Sequence, residues 1–139
     1  MDTALFHMAF PVRDIEETRH FYETLLGCEV GRHAKRWIDF NFYGHQISAH
    51  LRPDALGTEQ TNPVDGNDVP VRHFGAVLKW EDWEDLAQNL KNENVPFLID
   101  PHIRFESMAG EQATFFVSDP SGNALEFKAF RNIKRLFDQ

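Results

Sequence analysis

Apolar positions along this chain change their period from about two to about three and a half and back again, and they do so twice. The first apolar run, residues 4–12, is short and ends at the charged pair Arg13-Asp14. Ile15, Thr18, Phe21, Tyr22, Leu25 and Leu26 then recur at helical spacing and predict one buried helix face. Asp14 followed by Glu17 predicts a capping box, and Gly27 stands where a helix C-terminal cap is expected. Three strand-like pieces follow, 28–33, 36–43 and 46–51. Trp37, Ile38, Phe40 and Phe42 suit a pleated surface, and Tyr43-Gly44-His45 reads as a turn. The predicted order is β-α-β-β-β.

Residues 53–70 carry Pro53, Gly57, Pro63, Gly66 and Pro70, with turn chemistry in place of periodicity. So long a linker is expected to be a functional lid or a module boundary. The order then repeats. A strand opens at His73, Trp83, Leu86, Ala87 and Leu90 mark a helix, and 95–99, 112–117 and 123–130 read as strands. The last two flank the turn Asp119-Pro120-Ser121-Gly122-Asn123. A short terminal helix is expected in the tail, 131–139. The fold class predicted is α+β within one domain, residues 1–139. Two tandem βαβββ modules, 4–52 and 71–130, are expected to form a cupped mixed sheet around a shared cleft. Either module alone is too small to bury a sheet face well.

Composition narrows the function classes. With 14 basic and 22 acidic residues the net charge is −8, and protonating all seven histidines would leave it still negative. Counterion release could hardly drive nucleic-acid binding. No apolar run approaches a membrane span, and the N-terminus lacks the basic start and apolar stretch of a signal peptide. The expectation is a soluble cytoplasmic protein with a small-molecule substrate, no nucleic acid and no membrane. One cysteine, Cys28, excludes an internal disulfide and a multi-thiolate metal site, and it reads as a buried strand residue.

Strand parity selects the candidate ligands. On the first strand His7 shares a face with Leu5 and Ala9, opposite Phe6, Met8 and Phe10, the set expected to pack against the helix. In the second module His73 lines up with Gly75 and Val77, opposite Phe74 and Ala76. Glu126 lines up with Ala124 and Lys128, and His50 with Ser48 and Gln46. A lone strand histidine is usually hydrogen-bonded or solvated, and a lone strand glutamate usually solvated. The matched placement in two modules is what makes His7, His73 and Glu126 candidate metal ligands. His50 is a candidate fourth ligand or an acid/base. Of the remaining polar groups, His102, Arg104 and Glu111 fall in a segment expected to be a loop and strand edge over the site. Arg104 is suited to pair with a substrate carboxylate, and His102, His45 and Tyr43 are further substrate-side candidates. His20 and His33 read as surface residues. Trp80 and Trp83 read as anchors of the second helix.

The segment running from His7-Met-Ala-Phe-Pro-Val-Arg-Asp through His20-Phe-Tyr, with Leu26-Gly27, resembles the opening of the vicinal oxygen chelate superfamily. Phe116-Val-Ser-Asp-Pro-Ser-Gly-Asn-Ala-Leu-Glu-Phe resembles its closing signature. The likeness covers roughly residues 5–130. It implies His7, His73 and Glu126 as metal ligands on the first, fifth and eighth strands, and a homodimer with the site in one chain or across two. His50 falls where glyoxalase I has a glutamate.

Two histidines and one carboxylate form the donor set associated with non-haem Fe(II). Fe(II) is therefore the first cofactor expected, with Zn, Ni, Co and Mn as alternatives. Dioxygenase-like chemistry on a substrate that chelates through vicinal oxygens comes first. A glyoxalase I-like lyase or isomerase, with His50 as a ligand, comes second. A non-catalytic resistance protein that sequesters a toxin or antibiotic comes third.

Overall fold

The computed structural model describes residues 3–57 and 60–138. These divide into two units, one of residues 3–57 with Asp119–Gly122, the other of residues 60–118 and 123–138.

In the first unit β1 (His7–Val12) leads into α1 (Ile15–Arg19), which continues as a π-helical turn, His20–Leu25. Asp14 caps α1 by accepting from the Glu17 amide at 2.8 Å. The reciprocal half of the expected capping box is not made, because the Glu17 carboxylate pairs with Arg13 instead. Gly27, at φ 78°, takes the left-handed conformation that turns the chain out of the helix. Strands β2 (Glu29–Ala34), β3 (Trp37–Phe42) and β4 (His45–Leu51) complete a sheet of order β1-β4-β3-β2. β1 and β4 are parallel and the other pairs antiparallel, so the sheet is mixed. Its core joins Phe10, Val12, Phe21, Tyr22, Ile38, Phe40 and Ile47. Phe6, expected in that core, precedes β1 and is exposed; its amide donates to His45 Nδ1 at 2.9 Å.

The second unit repeats the pattern with β7 (Phe74–Leu78), α2 (Trp80–Asn92), β8 (Phe97–Arg104), β9 (Gln112–Ser118) and β10 (Ala124–Phe130), in the order β7-β10-β9-β8. Trp83, Leu86, Ala87 and Leu90 are buried on α2 as their spacing predicts. Trp83 Nε1 donates to the Phe127 carbonyl at 2.9 Å, and its ring lies 5.6 Å from that of Phe115. The tail forms a short 3₁₀ turn, Ile133–Arg135.

Two expectations change. The stretch 53–70 holds a 3₁₀ turn, Pro53–Ala55, and most of an antiparallel hairpin, β5 (Gln60–Val64) with β6 (Asn67–Val71). Positions 58 and 59 of that stretch, and the ends 1–2 and 139, lie outside the described residues. Asp65-Gly66 makes the hairpin turn with both φ angles positive, 48° and 84°, a backbone that Asp tolerates and Gly favours. The count is thus ten strands among the described residues, where eight were expected. β8 is also longer than predicted, so His102 and Arg104 are strand residues and only 105–111 form the loop.

Asp119 and Ser121, in the β9–β10 turn, pack in the first unit. Tyr22 Oη donates to Asp119 Oδ2 at 2.9 Å, and the Arg13 amide donates to Ser121 Oγ at 2.9 Å. Burial, and then the Asp119 carboxylate, push the Tyr22 phenol well above its usual range. Burial pushes the Cys28 thiol up to about 12. Both groups therefore fold protonated. Their stabilisation is complete below the ordinary thiol value of about 8.5 and is lost as pH rises from there toward the folded values. The Cys28 thiol is expected to resist a disulfide reagent at mildly alkaline pH and to react in step with denaturant unfolding. Equal rates in the two states would contradict its burial.

Candidate functional site

The face of the second sheet turned away from α2 is set by register. Glu126 pairs with Gly75 on one side and Phe116 on the other. Lys128 pairs with Thr114, and Thr114 with His102. Arg104, two residues past His102, shares that face. Gly75 has no space for a side chain, since a Cβ there would lie 1.6 Å from the Glu126 carbonyl oxygen. Glycine thereby lets β7 come close to the strand that carries Glu126.

His73, just before β7, puts Nε2 3.2 Å from Glu126 Oε1. Behind the imidazole, Nδ1 lies 2.6 Å from the Pro70 carbonyl. That carbonyl only accepts, so Nδ1 carries a proton and the Nε2 lone pair faces the carboxylate. Behind the carboxylate, Thr114 donates to Oε2 at 2.5 Å. The Phe116 ring meets the His73 ring edge-on, with centroids 4.9 Å apart. Once protonated, Nε2 donates to Glu126, and that bond raises the His73 pKa against the opposing effect of burial. Burial pushes Glu126 upward, but His73, Thr114 and Lys128 outweigh it and hold the carboxyl below its usual value. Two groups that both accept, aimed at one point, call for a positive charge between them, either a proton on Nε2 or a cation.

A divalent cation fits this pair. Donors about 2.0–2.2 Å from a cation and about a right angle apart lie about 3 Å from each other, which matches the observed 3.2 Å. The contacts behind the pair, a carbonyl on Nδ1–H and a hydroxyl on the far carboxylate oxygen, are those that orient metal ligands. Among the described residues no group of three or more His, Cys, Asp or Glu side chains is placed to hold a metal ion. His7 is in the first unit, exposed at the start of β1.

A cavity of about 200 Å³ opens beside Glu126 under the β5–β6 hairpin. Val64, Val69, Ile99 and Phe116 give it apolar wall, and Thr114, His102, Arg104 and Lys128 add polar and cationic groups. The structure thus brings His102 and Arg104 of the candidates to the Glu126 face. Thr114, Lys128 and the hairpin's Asp65 also line that face and were not singled out from sequence. Parity with Glu126 marked Lys128, whereas Thr114 and Asp65 needed strand pairing to appear.

The remaining candidates lie in the first unit. His7 pairs with Gln46 and Ala9 with Ser48. Ser48, not His50, is therefore the counterpart of Glu126 by register, because each is paired two residues past the module's first histidine. His50 shares the face of His7 but lies four residues beyond Gln46, about 13 Å further along the sheet. That separates it from any cation His7 could hold, so the fourth-ligand expectation for His50 does not fit this register. Ser48 donates to Asp39 at 2.6 Å. Tyr43, at φ 53°, forms the β3–β4 turn with its ring 4.8 Å from Phe42, and His45 Nδ1 is taken up by the Phe6 amide. His20 and His33 are exposed as expected. No described helix is long and apolar enough to cross a membrane.

Comparison with known proteins gives the same architecture. The chain resembles a glyoxalase/bleomycin resistance protein/dioxygenase from Alicyclobacillus acidocaldarius, at 34% identity over 96% of each chain and a TM-score of 0.79. The fold is shared with the fosfomycin resistance protein FosX from Listeria monocytogenes, at 17% identity over 97% of this chain and 99% of that one, TM-score 0.73. It is shared too with lactoylglutathione lyase from Agrobacterium tumefaciens, at 13% identity over 99% and 98% of the two chains, TM-score 0.65. The family model for the Glyoxalase/Bleomycin resistance protein/Dioxygenase superfamily matches residues 4–127. With paired βαβββ units and that match over most of its length, the chain belongs to this superfamily, the vicinal oxygen chelate proteins.

Proposed function

We propose that this protein is a divalent-metal-dependent enzyme, dioxygenase-like in its chemistry, acting on a small substrate that presents two adjacent oxygens. The observation that carries the reading is the His73–Glu126 pair, with Nε2 and Oε1 3.2 Å apart and each group held from behind. His7 of a second copy is the third donor, making a homodimer the active form. Two imidazoles and one carboxylate are the donor set of non-haem Fe(II) oxygenases. A cation held there would receive the two substrate oxygens and stabilise negative charge developing on them.

The chain's own side chains account for the rest. Phe116, Ile99 and the hairpin valines exclude water from the substrate body. Lys128, beside Glu126 on β10, favours the ionised form of the substrate. Thr114 fixes the Glu126 carboxylate so that Oε1 faces His73.

Anaerobic loading with Fe(II), then oxygen-uptake assays over a panel of catechols, tests the reaction. Uptake that is abolished in Glu126→Ala is expected. Turnover of a hemithioacetal with Ni, Co or Zn, without oxygen uptake, would assign a lyase instead. Tight ligand binding that survives EDTA and the loss of His73 and Glu126 would assign a sequestering protein. Mixing inactive His7→Ala with inactive His73→Ala is expected to restore part of the activity, because a mixed dimer carries one intact site; no recovery would contradict a shared site. Thr114→Val, which removes the hydroxyl behind Glu126, is expected to weaken metal binding about 10–100-fold, read by competition with a chelating dye.

A further inference from the structure

The cavity beside Glu126 contains an ion pair that is only half made. Arg104 on β8 reaches with Nη2 to Oδ2 of Asp65, at the tip of the β5–β6 hairpin. Its Nε is buried and has no hydrogen-bond partner. Nε and Nη2 lie along one edge of the guanidinium, the edge that grips a planar or tetrahedral oxyanion with two parallel hydrogen bonds. Asp65 fills only one of those places. The arginine side chain is 26% exposed and the aspartate 57%, so the cation faces the cavity and the anion sits at its rim. Lys128 and His102 share the Arg104 face, and Val64, Val69, Ile99 and Phe116 supply apolar wall. At about 200 Å³ the cavity is smaller than the roughly 300–1,000 Å³ typical of drug-sized ligands, so its occupant is compact. β9 separates β8 from β10, so an end held by Arg104 is distinct from an end at Glu126.

We infer that Arg104 receives the oxyanion of a small acidic substrate with an apolar body, and that Asp65 stands in for that oxyanion until the substrate arrives. Substrate binding then displaces Asp65 and unlatches the hairpin. The inference rests on the Glu126 face being the substrate site and specifies the substrate class that site accepts. An oxyanion that spans both Nε and Nη2 satisfies the buried donor that Asp65 leaves bare, so it outcompetes a partner that makes one contact.

Binding is measured on the metal-free protein in EDTA, which separates this inference from the metal assignment. The probes are benzoate, phenylphosphonate and neutral benzamide, and the readout is NMR of the Arg104 Nε–H and of the backbone amides of residues 64–67. Both anions are expected to shift these signals and benzamide to leave them unchanged. The tighter of the two anions identifies the natural oxyanion as carboxylate or phosphonate. Asp65→Asn keeps a residue that tolerates the turn's positive φ and removes the competing charge, so it is expected to tighten anion binding about fivefold. Arg104→Gln is expected to abolish it, and Arg104→Lys, which keeps the charge but not the fork, to lose most of it. Anion binding unchanged in Arg104→Gln, or not tightened by Asp65→Asn, overturns the inference, as does absence of response in both wild type and Asp65→Asn. If the responses hold while His73 and Glu126 bind no cation, the metal reading fails and Arg104 keeps its role.

Discussion

His73→Ala and Glu126→Ala are each expected to lower the affinity for a divalent cation by more than about 100-fold, since removing a ligand costs more than losing its outer partner, itself worth about 10–100-fold. The pair's geometry gives the reason. Nε2 and Oε1 already stand at the spacing a cation demands, with the Pro70 carbonyl fixing the tautomer and Thr114 fixing the carboxylate. Removing either side chain leaves this chain a single donor at the site, so the chelate that the pair makes is lost. Glu126→Gln is a sharper form of the test, because it keeps the shape and removes the charge. It too is expected to release the metal, whereas a purely structural role for Glu126 would survive the amide. Metal content after dialysis, measured by mass spectrometry beside a circular dichroism spectrum, reads both binding and fold.

Asp119→Ala is expected to be the most damaging change away from that pair, costing about 3 kcal/mol. Asp119 is 4% exposed; it accepts from the fully buried Tyr22 hydroxyl at 2.9 Å and from the Ser121 amide at 2.9 Å. Truncation strands both donors in a place water does not reach, and each stranded buried donor costs about 1–3 kcal/mol. In a chain of this length the melting temperature is expected to fall by about 10 °C. Tyr22→Phe removes one of the two bonds and keeps the Ser121 amide on the carboxylate, so it is expected to give a smaller drop. Thermal unfolding followed by circular dichroism measures both; an Asp119→Ala variant as stable as the parent would show that the turn is not anchored by this bond.

Legibility from sequence followed the range of each interaction. Both βαβββ orders, the α2 face of Trp83, Leu86, Ala87 and Leu90, and the Asp119–Gly122 turn are local patterns, and all were readable. The hairpin in 53–70 was hidden because Pro63 and Pro70 weaken any strand signal, although Asp65-Gly66 is a turn pair that would have announced it. The length of β8 was hidden for the same reason, since Pro101 interrupts it. Among site residues, parity found the shared face of Glu126 and Lys128, but parity carries no register. The counterpart of Glu126 in the first module could be named Ser48 only once the β1–β4 pairing was known. The Thr114 bond to Glu126 and the Asp65 bond to Arg104 join residues on different strands, and no spacing along the chain encodes them.

The most direct test of the central claim is anomalous scattering from crystals grown with Co(II), collected on both sides of the cobalt absorption edge. The expected result is one strong peak per chain within about 2.0–2.2 Å of both His73 Nε2 and Glu126 Oε1, with His7 of a neighbouring copy as the third protein donor. A fully occupied peak elsewhere, with His73 and Glu126 still bonded only to each other, would contradict it.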